Sequence, residues 1–321
     1  MSRVSTPDAP IRVVLATASR DRGSTSRTLE AWTRLLPAEQ ISPTVTIGGD
    51  GSLLTALQAA GVPVFVRQIR VVPQKTWPFP FFYAVGRLAL TVKSSGASLV
   101  HVNEHDNHPV AAQAAALAGV PLITHIRFRP DAAYCRWLFR PGRVPARLFF
   151  TSRTQLADSA EAIRPMVPED RWRVLPNGLD FSIVGTHPEH RARLRQMWGL
   201  SDDSVAVGIA CAISVRKRVD HLVRLVARLR ERGVDAYGFV AGQPHFPSDA
   251  VVLDGLRRLA AELNVGDRIR FLGYVEPSEP LYYAWDLCVS TSSYETFGMT
   301  VLEAMACRCP VVTYPGGSVQ E

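Results

Sequence analysis

Short runs of Val, Ile and Leu alternate along this chain with longer stretches in which apolar residues recur every three or four positions. Continuous apolar runs of strand length read as strands buried on both faces, and the longer periodic stretches read as the helices that cover them. In the first half the pattern predicts strands at 11–17, 43–47, 63–67, 98–102, 121–126 and 147–151, with helices such as 24–36, 52–60 and 109–118 between them. The second half repeats the pattern, with strands at 205–210, 237–241, 268–273, 286–291 and 310–314. Alternation of this kind predicts an α/β fold of two doubly wound, Rossmann-like parallel-sheet units. Pro176, Asn177 and Gly178 form a turn signal ahead of a polar segment, so the expected domains are 1–178 and 179–321. A hinge there would set a ligand cleft between two sheets, and the plainer reading is a turn that ends a strand.

Composition narrows the class. With 321 residues, 47% of them hydrophobic and 20% charged, the chain has the make-up of a globular protein long enough for two cores. The net charge of +7 is almost wholly arginine, since Lys75, Lys93 and Lys217 are the only lysines. Scattered arginines read first as solvated surface and second as a bias toward anionic partners such as sugar nucleotides, acidic lipids or nucleic acid, of which nucleic acid is not expected as a partner. The five cysteines have no paired spacing, and Cys307-Arg-Cys309 has neither the spacing nor the neighbours of a zinc site. A reducing, cytoplasmic setting is expected, without a signal peptide or a membrane span.

The densest chemistry lies in SSYETFGMTVLEAMACRCPVVTYPGG, where Glu295 and Glu303 stand eight residues apart around Phe297 and Gly298. A helix starting near Gly298 presents unpaired amides and a positive dipole end, an arrangement suited to a phosphate. Glu303 could accept hydrogen bonds from ribose hydroxyls and Glu295 could reach a sugar beyond a diphosphate. A pair of solvated helix carboxylates is the plainer alternative, but the small apolar residues around Glu303 favour a packed turn facing a cleft.

The segment 295–312 resembles the E-x7-E region of the retaining glycosyltransferases of family 4, which have the GT-B fold of two facing Rossmann-like domains. Further matches follow in the family's order: GVPLITHIR (119–127), LFFTSRTQLAD (148–158), RVLPNGLD (173–180), FLGYV (271–275) and DLCVSTSSYE (286–295). The resemblance implies a nucleotide-diphosphate sugar as donor substrate, no cofactor and no metal. The implied acceptor is a glycan, a lipid or a small molecule. It places Glu295, Lys217, His125 and Arg127 at the reaction centre. Glu303, Phe297, Gly298, Met299, Arg216 and Arg218 would hold the donor, and Gly23, Asn103 and Glu104 would lie on the acceptor side. Two departures stand out. Ala212 occupies the position of a family arginine, so that Arg216 or Arg218 would have to supply the second positive charge, and the H-x-R of His125 and Arg127 replaces a histidine at the position of Arg127. The chain ends at GGSVQE where family members continue, which leads to the expectation of a fragment or a shortened member.

Three other stretches carry competing readings. TIGGDGSLLTAL (46–57) resembles the GGDGT signature of NAD kinases and diacylglycerol kinases, yet lacks that signature's partner motifs and reads as a structural turn. HVNEHDNHPVAAQ (101–113) offers His101, Glu104, His105, Asp106 and His108 to a metal, although a cleft wall with Asn107 or His108 capping the next helix is preferred. KTWPFPFFYAVGR (75–87) could rest on a membrane or hold a lipid acceptor, giving a peripheral protein on the inner membrane face, and burial of its aromatics is the expectation. A non-catalytic sugar-nucleotide-binding or scaffold protein of the same fold is the alternative to an enzyme.

Overall fold

A computed structural model describes residues 9–67, 79–140, 142–181, 184, 187–244 and 246–321. The chain divides into two compact units, Met1–Gly178 and Leu179–Glu321. In the first, strands β1 (Ile11–Ala16), β2 (Ile41–Ile47), β3 (Val64–Val66), β4 (Leu99–Val102), β5 (Leu122–Ile126), β6 (Arg147–Phe150) and β7 (Trp172–Val174) form a parallel sheet in the order β3-β2-β1-β4-β5-β6-β7. Helices α1 (Ser24–Leu35), α2 (Ser52–Ala59), α3 (Phe79–Ser94), α4 (His108–Ala118), α5 (Ala132–Leu138) and α6 (Arg153–Ile163) alternate with the strands. Every strand expected here is present, and β7 is an addition, because its three residues are too few to show a pattern.

The apolar runs follow from burial on both faces. Val13 and Leu15 of β1 pack with Leu29 of α1 and Leu53 and Leu57 of α2, whereas Val14 and Ala16 pack on the opposite face with Val85 and Leu88 of α3 and Val110 of α4. Successive side chains of a strand point to opposite faces, so a strand between two helical layers needs an apolar residue at each position. Local chemistry sets the helix ends. Ser152 Oγ accepts from Gln155 N at 3.0 Å at the start of α6, and α4 stops at Gly119, whose φ of 74° is left-handed.

The second unit has strands β8 (Val205–Ala210), β9 (Ala236–Ala241), β10 (Ile269–Gly273), β11 (Leu287–Ser290) and β12 (Val311–Thr313), all parallel, in the order β10-β9-β8-β11-β12. Its helices are α7 (Pro188–Met197), α8 (Asp220–Glu231), α9 (Ala250–Glu262), α10 (Glu279–Ala284) and α11 (Met299–Ala306). Val207 and Ile209 of β8 face α8 and α9, while Ala206 faces Trp198, Tyr282 and Ala304 on the other side. Both sheets reverse their strand order beside their first strand, between β1 and β4 and between β8 and β11. In an open α/β sheet this switch point, at the carboxyl ends of the strands, is where a ligand finds room.

Two expectations change. Most of the described aromatics in 79–87 are not buried: Phe79, Phe82 and Tyr83 on α3 are 69%, 65% and 59% exposed, and it is Phe81 that packs against the core. Residues 75–78 of that stretch lie outside the described residues. The helix turns Ala84, Val85 and Leu88 onto the sheet, and a face with core contacts at these positions leaves the aromatics at 79, 82 and 83 on the other side. Second, Asn107 stands at the N-cap position of α4 but its side chain makes no capping bond; its amide reaches Glu104 Oε2 at 3.4 Å instead.

The GGDG loop packs against the loop that follows β1. A Cβ on Gly48 would lie 2.0 Å from Ala18 O and one on Gly51 would lie 2.4 Å from Arg20 O, so these glycines serve a backbone-to-backbone approach. Gly51 is the N-cap of α2, and Leu53 N donates to Arg20 O at 3.0 Å.

Gly208, in the middle of β8, faces the indole of Trp285, and a Cβ there would sit 1.9 Å from the Trp285 Cδ2 atom. Gly208→Ala is expected to destabilise the second unit by roughly 3 kcal/mol, at the upper end for overpacking because the indole is itself enclosed. Urea denaturation checks this, with an unchanged midpoint as the contrary result.

Candidate functional site

The switch point of the second unit is lined by Ala210, Cys211, Lys217, Ser292, Glu295, Gly298 and Thr300. Two loops build it, one after β8 and one after β11, and backbone bonds stitch them together. Thr291 Oγ1 donates to Lys217 O at 2.8 Å, and Ser293 N donates to Arg216 O at 3.1 Å. The outcome is that Lys217 Nζ lies 2.5 Å from Glu295 Oε1, both side chains being largely withdrawn from solvent. A third segment fixes the carboxylate's backbone: Ser318 N donates to Glu295 O at 2.9 Å, and Gly317 passes so close that a Cβ on it would lie 2.0 Å from the same oxygen. Beside the pair, burial pushes the Cys211 thiol up to about 12 against the opposing pull of Lys217, which leaves it protonated at neutral pH.

Gly298 begins α11 in a left-handed conformation, φ 86°, that a side chain would strain. Phe297 and Met299 flank it, both half-buried. The amides of the first helical turn, from Met299 onward, have no carbonyl partner within the helix, and Gly298, Thr300 and Val301 at this helix start line the pocket. Glu303 follows on the buried side of α11, where its Oε2 accepts from the hydroxyl of Tyr282 on α10 at 2.9 Å. The pocket lining therefore combines an ammonium, a helix start and the Glu295 carboxylate, a set that can meet an anion and a hydroxyl at once, with Glu303 further along α11 and outside that lining.

The two arginines beside Lys217 turn elsewhere. Arg216 Nη1 donates to Tyr294 O at 2.8 Å, which braces the second loop. Arg218, left-handed at φ 48°, reaches Asp220 at 3.6 Å and His221. Ala212 is exposed near them.

The remaining candidates lie in the first unit, around its own switch point. Gly23 is the N-cap residue of α1, and its amide donates to Ser26 Oγ at 2.7 Å. Asn103, directly after β4, donates to Thr25 O at 3.2 Å and to Glu104 Oε1 at 2.7 Å. Arg127, after β5, is buried and bridges three places. Its Nε donates to Asn103 O at 2.8 Å, its Nη2 to Asn103 Oδ1 and its Nη1 to Asn177 Oδ1, the last two at 2.5 Å. Burial lowers the guanidinium to about 10 while Glu104 works the other way, so it stays charged at neutral pH, and burial in turn raises the Glu104 carboxyl. His125 is fully buried, with Nδ1 3.0 Å from His101 Nε2 and the ring stacked on Trp32 at 5.5 Å. Neither His125 nor Arg127 is presented to solvent in this conformation.

The polar stretch 101–113 scatters its side chains. His101 turns to His125, His108 lies between Thr124 Oγ1 at 2.9 Å and Arg143 O at 2.5 Å, and His105 meets the Phe128 ring at a tilt of 49°. Among the described residues, the one group of three His, Cys, Asp or Glu side chains close enough to share a metal is His187, Glu189 and His190, near the start of α7. No helix among the described residues is long and apolar enough to cross a membrane.

Comparison with known proteins bears on this second-unit pocket. Residues 191–321 match the family described as Glycosyl transferases group 1. The second unit carries a group 1 glycosyltransferase domain. An uncharacterized glycosyltransferase of Methanocaldococcus jannaschii is 31% identical over 159 residues, 48% of this chain and 39% of that protein. A GDP-mannose-dependent alpha-(1-6)-phosphatidylinositol monomannoside mannosyltransferase of Mycolicibacterium smegmatis is 31% identical over 182 residues, 54% of this chain and 45% of its own length. The matched stretch thus spans less than half of either relative. Among solved structures, HepE of Anabaena, in complex with UDP and glucose, superimposes with a TM-score of 0.84 at 21% identity, covering 97% of this chain and 82% of that one. The chain has the GT-B glycosyltransferase fold, and the group 1 domain contains all the residues around Lys217 and Glu295 described above.

Two contributors to the group 1 pocket went unrecognised in the sequence. Thr300 Oγ1 donates to Ala210 O at 2.9 Å and so ties α11 to the end of β8, and Tyr282 holds Glu303. The two hydroxyls of the otherwise apolar run LYYAW, on Tyr282 and Tyr283, were the one available signal for the latter, and nothing in the spacing singles out position 282 or pairs it with position 303.

The buried histidines make the first unit acid-sensitive. Burial lowers His101 and His105 to about 3 and His108 to about 4, and drives His125 well down, whereas the unfolded chain titrates near 6.5. Above about pH 6.5 the imidazoles are neutral in both states and contribute nothing to the pH dependence. As pH falls from about 6.5 toward 4 the unfolded state binds more protons, so stability declines by up to about 1.4 kcal/mol per histidine per pH unit. Melting temperatures measured from pH 7.5 to 5 are expected to fall below pH 6.5; a flat profile contradicts the burial of neutral imidazoles.

Proposed function

We propose that this protein is a retaining glycosyltransferase that moves a sugar from a nucleotide-diphosphate sugar to a glycan, lipid or small-molecule acceptor. The observation that carries the reading is the pocket at the β8/β11 switch point, where Lys217, Glu295 and the start of α11 converge within a group 1 domain that also holds Glu303 further along the same helix. The name of the mycobacterial relative and the UDP and glucose bound to HepE support a nucleotide sugar as the donor. In this reading Lys217 and the α11 amides meet the diphosphate, Glu303 the ribose and Glu295 the sugar. Transfer breaks the bond from the anomeric carbon to the diphosphate oxygen and forms a bond to the acceptor oxygen on the same face, the acceptor proton passing to the departing phosphate. Fixed positive charge where negative charge develops is the main catalytic contribution of such a site.

A second reading has its own observation. Arg216 and Arg218 are engaged with Tyr294 O and with Asp220 and His221, and Ala212 offers no charge, which favours a protein that binds the sugar nucleotide without turning it over. Assays with UDP-, GDP- and ADP-sugars across an acceptor panel separate the two. The enzyme reading expects transfer or donor hydrolysis that falls by roughly a hundredfold or more in Lys217→Ala, the scale for removing one group that stabilises developing charge. Donor binding with no turnover on any acceptor favours the second reading.

A lipid-surface contact is supported by α3, which exposes Phe79, Phe82, Tyr83 and Leu90 on one face with Arg87 among them. Aromatic residues with adjacent positive charge suit an anionic bilayer interface. Co-sedimentation with vesicles containing phosphatidylglycerol is expected to be lost in the double variant Phe82→Ser, Tyr83→Ser. Equal sedimentation of native and variant chains rules this contact out.

A further inference from the structure

Tyr282 lies in α10 with its side chain almost wholly inside the core of the second unit, 1% exposed. Leu194, Phe239 and Ala304 belong to the same cluster, and Trp285 meets the phenol ring edge-on at 5.4 Å between centroids. Phenylalanine would satisfy these apolar contacts equally. The hydroxyl is what the packing does not require, and a buried phenol oxygen needs a polar partner. It finds one in Glu303 Oε2 at 2.9 Å, on a carboxylate that is itself 4% exposed. The bond runs from one helix to another, between residues 21 apart.

We infer that Tyr282 is a positioning residue for nucleotide recognition, fixing the rotation of the Glu303 carboxylate so that it meets the 2′ and 3′ hydroxyls of a ribose. This rests on the reading of Glu303 given above. A glutamate has three side-chain torsions, and a carboxylate left to sample them presents its oxygens to a vicinal diol only part of the time. A hydrogen bond of 2.9 Å from a fixed hydroxyl to one carboxylate oxygen favours the side-chain orientation that keeps it. A carboxylate offers about four acceptor sites, so the single bond from Tyr282 does not by itself saturate it. The phenol is in turn immobilised by the ring contacts around it, so the orientation of Glu303 is inherited from the core. Ribose recognition is thereby tied to a residue that does not itself touch the ligand.

A purely structural tyrosine would join α10 to α11 and no more, and titration calorimetry separates the two roles. The native chain, Tyr282→Phe and Glu303→Ala are titrated with UDP, GDP and ADP and with the 2′,3′-dideoxy forms of each. The native chain is expected to prefer the ribose form of the nucleotide it binds. In Tyr282→Phe, affinity for that form falls roughly tenfold, the scale of one hydrogen bond to a charged group, while affinity for the dideoxy form is unchanged. Equal weakening toward both forms, or no weakening toward either, overturns the inference. If Glu303→Ala loses the ribose preference and Tyr282→Phe keeps it, the fault lies with Tyr282 alone. If Glu303→Ala keeps the preference, or if none of the three nucleotides binds the native chain, the reading of Glu303 fails and this inference with it. Thermal melts of the two variants show whether each remains folded.

Discussion

The second unit depends on one seam, the hydrogen bonds that join the loop after β8 to the loop after β11. Parallel strands that reverse their order leave two loops diverging from a common edge, and this sheet closes that divergence with backbone and hydroxyl bonds from Thr291 and Ser293 to Lys217 and Arg216. Once the loops are joined, an ammonium at the end of a short 3-10 turn, Val215–Lys217, and a carboxylate on the facing loop meet each other. The start of α11 and the turn at Gly316 and Gly317 then enclose them. Rigid strands beneath and covering helices above do the positioning, and the functional side chains need only be the right length.

The first unit uses the same topology for a different balance of forces. Its switch point is filled by an interlocked polar set, with Arg127 bonded to Asn103 and Asn177 and with His125 against His101 under Trp32. A buried guanidinium is tolerated because each end of its fork has an oxygen acceptor. The set joins the ends of β4 and β5 to the turn at Asn177, so the carboxyl edge of this sheet is held by side chains where the second unit is held mainly by loop backbone.

The strands were legible because burial on both faces demands unbroken apolar runs, which the eye can find in Val13 to Ala16 or in Val205 to Ala210. β7 escaped because three residues show no period. The E-x7-E spacing of Glu295 and Glu303 and the rare Lys217 were visible as separate points. Their meeting depends on pairings between residues about eighty apart, which no local pattern encodes. The aromatics of α3 misled for a related reason: an apolar stretch looks the same whether its face meets a sheet or solvent, and only the placement of Ala84, Val85 and Leu88 decides which side is covered. Tyr282 was hidden by its own surroundings, since adjacent tyrosines in an otherwise apolar run read as core.

The contact between Lys217 and Glu295 spans 78 residues of chain, and that of Thr300 with Ala210 spans 90. Closing loops of that length is entropically unfavourable unless the sheet between them holds their ends together, so the pocket depends on the sheet for its assembly. A molecule that occupies it consequently recognises the finished fold and no fragment of it. Its presence at concentrations above its dissociation constant draws the chain toward the native state by mass action. The site is in this sense a checkpoint on the completeness of the unit that carries it.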